Sequence, residues 1–153
     1  MTVILSELAT ELTTDPVGMG YASYVAAGNT VALAEMLNDT GSVGAGTVDV
    51  RFAEAATIQS LVDVTEYNAL TDTARQAWLA LLIASQTSER SLGLPLDDTN
   101  VRAQIAAIWG AGTNTRTSLV AAQTRTGSRG EVLWGTDTKV SSSQVSKVLR
   151  GEY

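Results

Sequence analysis

The 153-residue chain is 44% apolar and 17% charged, a globular composition with enough length to bury a core. It has no cysteine and no histidine, which excludes disulfides, thiolate nucleophiles, zinc–cysteine sites and the commonest general base and metal ligand. The net charge of −6 is uneven: residues 101–153 hold seven basic and three acidic side chains, net +4, which leaves −10 on residues 1–100.

In chain order, Leu5, Leu8 and Leu12 share one face of a predicted helix over 3–12, with Thr2 as its N-cap. Asp15-Pro16 ends it, because the residue before proline is pushed out of helical backbone. Asn29 caps TVALAEMLN, where Leu33, Met36 and Leu37 form the stripe. DTGSVGAG (39–46) reads as a loop, TVDVRF (47–52) as a short strand or extended arm, and AATIQSLVD (55–63) as a helix. Thr71 caps the most strongly patterned helix, DTARQAWLALLIAS, with Ala74, Trp78, Leu81 and Leu82 inward. SLGLPLDDTN (91–100) is a loop, and Asp98 or Thr99 caps a helix lined by Val101, Ile105, Ile108 and Trp109. GAG (110–112) closes that helix, Thr113 starts NTRTSLVAAQT, and Ser128 caps a short RGEVLW. GTDTKV (135–140) is a turn with room for one strand, and SSSQVSKVLRG ends the chain as a helix closed by Gly151.

This pattern predicts an all-α fold, a compact bundle of about seven short helices with at most a short strand or hairpin. Residues 1–128 are expected to form the helical domain, and 129–153 a C-terminal arm ending in a short helix. Leu8, Leu12, Trp78, Leu82, Ile105 and Trp109 are the expected core. The charge asymmetry predicts head-to-tail attraction between copies or an acidic partner for the last third, against the plainer reading of solvated faces that differ in sign. No apolar run reaches the roughly 18 residues of a membrane span. The start MTVILSELATEL, with two glutamates and no basic region, does not read as a signal peptide.

Several stretches invite a chemical reading. TTDPVGMGY (13–21) has paired glycines, but a dinucleotide loop needs a preceding strand and a third glycine, so a tight corner between helices is the stronger reading. Glu66, Asp72, Asp97 and Asp98 suggest acid–base work or a hard cation, yet Asp97-Asp98 sits where a helix starts and acids complement the helix dipole. The serines of SSSQ have no histidine base, and lysine activation needs Lys139 or Lys147 beside one of them. VSSSQVSKVLRG has the look of a recognition helix, but the spacer from Trp134 to Ser141 exceeds a helix-turn-helix turn. A sequence pI near 4.5 is also wrong for a dedicated DNA binder. No catalytic, cofactor-binding or metal-binding residue is assigned.

Four segments, ELTTDPVGMGYA (11–22), VTEYNALTDTARQAWL (64–79), NVRAQIAAIWGAGTNTRTSLVAAQTRTGSRGEVLWG (100–135) and VSSSQVSKVLRG (140–151), occur in this order. Together they resemble a family of small, largely uncharacterised virion proteins of tailed bacteriophages, marked by an ELTTDP…GY corner and a late GxGT.T…GSR.E.L.G segment. Met19 stands where that family more often has arginine, and Gly130 where it has alanine, departures expected to touch helix surface and propensity. The resemblance implies a non-enzymatic structural virion protein without cofactor, assembled in the bacterial host cytoplasm. The leading role is a head–tail connector (neck adaptor) forming a homo-oligomeric ring below the portal. Its expected partners are its own copies, the portal and neighbouring neck or tail proteins, with no membrane and no sequence-specific nucleic acid. The alternatives are a tail-completion or capsid-decorating component, or a DNA-binding regulator using the last helix. The expected interface residues lie in the arm: the cations Lys139, Lys147 and Arg150 and the aromatic anchors Trp134 and Tyr153.

Overall fold

The structure, a computed structural model, describes residues 2–87 and 93–153; Ser91 and Leu92, which open the predicted loop 91–100, lie outside the described residues. The all-α expectation is overturned: among the described residues ten helices are joined by four short strands in two antiparallel two-stranded sheets, a helix-dominated mixed fold. The strands are two to four residues long, too short for an alternating pattern to stand out from a loop.

The chain also divides into two compact units rather than a domain and an arm. Unit 1 takes the residues up to Val48 together with Thr126–Tyr153, and unit 2 takes Asp49–Arg125. Unit 1 begins with α1 (Leu5–Thr14), α2 (Ala22–Ala26), α3 (Thr30–Asn38) and the strand β1 (Gly46–Asp49), whose last residue falls in unit 2. Unit 2 follows with β2 (Phe52–Ala53), α4 (Ala55–Ser60), α5 (Val64–Ala69), α6 (Asp72–Thr87), β3 (Leu94–Pro95), α7 (Thr99–Ile108) and α8 (Asn114–Ala121). The strand β4 (Thr124–Gly127), paired with β1, leads back to unit 1, which ends in α9 (Arg129–Trp134) and α10 (Ser142–Leu149).

In unit 1, α10 lies on α1 and α3, and α3 also packs against α9. Trp134, Val140, Val145 and Val148 join Leu8, Leu12, Tyr21, Leu33 and Leu37 in a single apolar core. The expected arm is therefore part of this core. An eight-residue amphipathic helix is marginal alone in water, and the surface that supports α10 belongs to the same chain. Asn38 fastens the approach: its amide donates to the Val140 carbonyl at 2.7 Å and accepts from the Val140 N–H at 2.9 Å. Folding back also dissolves the charge asymmetry. Unit 1 carries eight acidic and four basic side chains, net −4, and unit 2 eight and six, net −2.

Unit 2 has its own core of Ile58, Trp78, Leu82, Leu94, Leu96, Ile105, Trp109 and Leu119. Trp78 and Trp109 meet edge to face, with ring centroids 5.4 Å apart and planes at 83°. In the small sheet Phe52 faces Pro95 and Ala53 faces Leu94. All six expected core residues are buried, but Leu8 and Leu12 belong to one core and the other four to the second. Asn29, Asp98, Thr113 and Ser128 cap their helices with side-chain oxygens. Thr2 does not: α1 starts at Leu5, after Ile4 and with no side-chain cap.

Candidate assembly surface

The polar residues that the motifs bring into view hold the chain's own backbone. At the TTDPVGMGY corner Asp15 ends α1 in the left-handed region, with φ 43°. Its carboxylate accepts from the N–H groups of Met19 at 2.6 Å and Gly20 at 2.7 Å. Gly18 and Gly20, at φ 72° and 82°, make the reversal without the strain a side chain would bring. The amides that a phosphate would need are thus engaged by Asp15.

The chain leaves the corner at Tyr21, which is buried and donates its hydroxyl to Glu11 at 3.2 Å. Arg129 reaches the same carboxylate from α9, with Nε and Nη2 each 2.8 Å from a Glu11 oxygen. Burial, then the Glu11 charge beside it, pushes the Tyr21 phenol far above its usual value, so it stays a donor. The Glu11 hydrogen bonds in turn raise the Arg129 guanidinium. Next to Arg129, Ser128 and Glu131 form a reciprocal capping box, and Glu131 also accepts from the Asp137 N–H at 2.9 Å. Met19 and Gly130 are not surface departures. Gly44 donates its N–H to the Met19 sulfur at 3.1 Å, and a side chain at buried Gly130 would come within 3.2 Å of the Leu37 carbonyl.

Unit 2 treats its acids the same way. Glu66 spans the start of α8, accepting from the N–H of Asn114 at 2.7 Å and of Thr115 at 2.8 Å. Buried Thr115 accepts from the Asp63 N–H at 2.9 Å, and Asp63 caps α5. Among the described residues no group of three or more His, Cys, Asp and Glu is placed to hold a metal ion, and no helix is long and apolar enough to cross a membrane.

The expected interface residues are not brought together as one patch. Trp134 is a core residue whose indole donates to Glu7 at 2.8 Å. Arg150 is clasped by Glu152, with Nε 2.6 Å from Oε1, and by Ser146 at 2.7 Å, so its charge is compensated within α10 and its tail. Lys139, Lys147 and Tyr153 are exposed. Of the two expected aromatic anchors, Tyr153 is exposed and Trp134 is not.

Exposed apolar side chains also lie along α6. Residues 77–84 read AWLALLIA, of which Trp78, Leu81 and Leu82 are buried, while Leu79 and Ile83 are 45% and 58% exposed. Val64, at the start of α5, is 71% exposed, and with Leu79 it lines one small depression. Another side of α6 borders an apolar groove of about 610 Å³ whose lining includes Ala77, Ala80, Phe52, Leu94, Pro95 and Val101. The inward set expected from the sequence was correct for Trp78, Leu81 and Leu82. The signal for an outer surface was the same run: eight consecutive apolar residues cannot all face one core from one helix.

No protein-family model, no curated protein and no solved structure matches this chain.

Proposed function

We propose that this protein is a structural component of a tailed-bacteriophage particle, a head–tail connector that repeats as a homo-oligomeric ring beneath the portal. The observation that carries the reading is the uncharged apolar surface of α6 in unit 2, exposed in a chain whose motif residues hold its own fold. A helix apolar on most of its circumference is a buried helix, so α6 calls for a neighbour. The resemblance of four ordered segments to small virion proteins supplies the setting. The role is assembly rather than catalysis, with the portal and the adjoining neck or tail proteins as further partners.

A tail-completion or capsid-decorating role uses the same surface in a different position on the particle. A DNA-reading role for α10 draws less support: Val145 and Val148 are buried, and Ser141 and Gln144 cap the helix end that would enter a groove. The test is the copy number of the protein in purified particles. The connector reading expects a fixed, ring-sized complement per particle. Absence from particles, together with salt-sensitive retention on DNA, would replace it with the regulatory reading.

A further inference from the structure

Between α3 and β1 the chain makes a surface turn over residues 39–45. Its hydrogen bonds within the turn are short-range. The Asp39 carboxylate accepts from the Gly41 N–H at 2.9 Å, the Asp39 carbonyl from the Ser42 hydroxyl at 2.9 Å, and the Ser42 carbonyl from the Ala45 N–H at 3.0 Å. Val43 is 79% exposed, yet Gly44 beside it is buried. Gly44 is buried against the Asp15–Tyr21 corner, where it donates its N–H to the Met19 sulfur at 3.1 Å. The fit is close: a β-carbon at Gly44 would lie 2.7 Å from that sulfur and 3.0 Å from Cδ of Arg129. The turn is thus fastened to the corner through a thioether, a weak and soft acceptor.

The same sulfur is open to reagents from the other side. Met19 is half-buried, and Val17, Gly18 and Gly20 around it are exposed. We propose that Met19 is an oxidation-sensitive latch: a two-electron oxidant such as hydrogen peroxide converts its thioether to the sulfoxide and releases the turn 39–45, and reduction restores it. This inference concerns unit 1 of a single chain and is independent of the connector reading.

The chemistry needs only the sulfur and the oxidant. A sulfur lone pair attacks one peroxide oxygen and the O–O bond breaks. The departing hydroxide takes the proton left on the transferred oxygen, so the products are sulfoxide and water. Sulfur loses two electrons and peroxide gains them. Either lone pair weakens the latch. An oxygen placed toward Gly44 has no room unless the turn moves outward, because Met19 and Arg129 already fill that side of the glycine. An oxygen placed on the other side draws electron density from sulfur, which makes the remaining lone pair a poorer acceptor, and sets a hydrated dipole where an apolar side chain packed against the unit 1 core.

The test is peroxide treatment of the whole protein, with mass spectrometry to locate the added oxygen and hydrogen exchange to follow the Gly44 amide. In protein oxidised at Met19 this amide should exchange about three- to tenfold faster, the worth of one hydrogen bond, while cooperative melting is kept. Methionine sulfoxide reductases A and B, which take one epimer each, should return it to the starting rate. Met19→Leu should exchange fast before treatment and show no response to peroxide. Met36→Leu, which removes the other half-buried methionine, should keep the full response. Unchanged exchange at Gly44 in protein that carries the oxygen on Met19 would overturn the proposal. So would a response that survives Met19→Leu, or a Met19 that stays unoxidised at peroxide levels that oxidise a free peptide of residues 13–22. Loss of cooperative melting on oxidation would also overturn it, because the change would then be global unfolding and not a latch.

Discussion

Arg129 and Glu11, 118 residues apart in sequence, form a two-pronged ion pair inside unit 1, each N–O distance 2.8 Å. The Glu11 side chain is 4% exposed and that of Arg129 12%. A pair so enclosed adds modest net stability, but removing one partner strands the other charge. Arg129→Ala should therefore destabilise unit 1 by about 3–5 kcal/mol, read by chemical denaturation. Arg129→Met combined with Glu11→Leu should recover most of that loss. Equal damage from the double variant would mean that the pair contributes through packing rather than charge.

Trp78 and Leu79 are sequence neighbours with opposite surroundings. Trp78 is buried against Trp109, so Trp78→Ala should lower the stability of unit 2 by about 3–5 kcal/mol. Leu79→Ser on the exposed flank should change the isolated protein by no more than about 0.5 kcal/mol. Comparable losses from both substitutions would show that the outer flank is covered within the chain.

The C-terminal segment gives a contrast between unfolding and assembly. Deleting residues 136–153 removes Val140, Val145 and Val148 from the unit 1 core. The truncated chain should lose the helical signal and cooperative melting of unit 1, measured by circular dichroism and calorimetry. Tyr153→Ala, at the exposed chain end, should leave both unchanged. A truncated protein with its melting intact would restore the independent arm.

Much of the local structure was legible in the sequence because it is written in local chemistry. Asn29, Asp98, Thr113 and Ser128 cap the helices they were expected to cap, and the apolar stripes identified Leu8, Leu12, Trp78, Leu82, Ile105 and Trp109 as buried. The failures concern distance along the chain. The stripe Val145–Val148 was visible, but nothing local says that it lies on α1 and α3. Thr124 reads as the end of the helix begun at Asn114, and residues 125–127 are assigned no element; the pairing of Thr124–Gly127 as a strand depends on β1, more than 70 residues earlier. Division into two cores followed from these long-range pairings, and with it the charge asymmetry lost its meaning. Of the five residues expected at the interface, Trp134 went into the core because its place beside Glu7 is set by α1. The α6 surface was legible in AWLALLIA but was read only for its inward face.

Acid should weaken the local structure that the hydrogen-bonded carboxylates of unit 2 hold. The Thr115 N–H foremost, and Asn114 after it, hold Glu66 below the ordinary glutamate range, and the N–H groups of Glu66 and Thr65 do the same for Asp63. A depressed carboxylate contributes stability that is present above its unfolded pKa and is lost as pH falls through the lower folded value. Protection of the Asn114 and Thr115 amides from hydrogen exchange should therefore hold near neutrality and decline as pH drops below about 4. Glu66→Gln should remove that part of the decline. Unchanged pH dependence in this variant would show that Glu66 does not supply it.

The most direct test of the proposed connector role is a reconstruction of the neck of the tailed-phage particles to which the proposal assigns this protein. The proposed role predicts a closed ring of identical copies below the portal, with exposed Leu79 and Ile83 of α6 buried at a contact with a neighbouring protein. A particle that lacks the protein, or holds one isolated copy with α6 facing solvent, would contradict it.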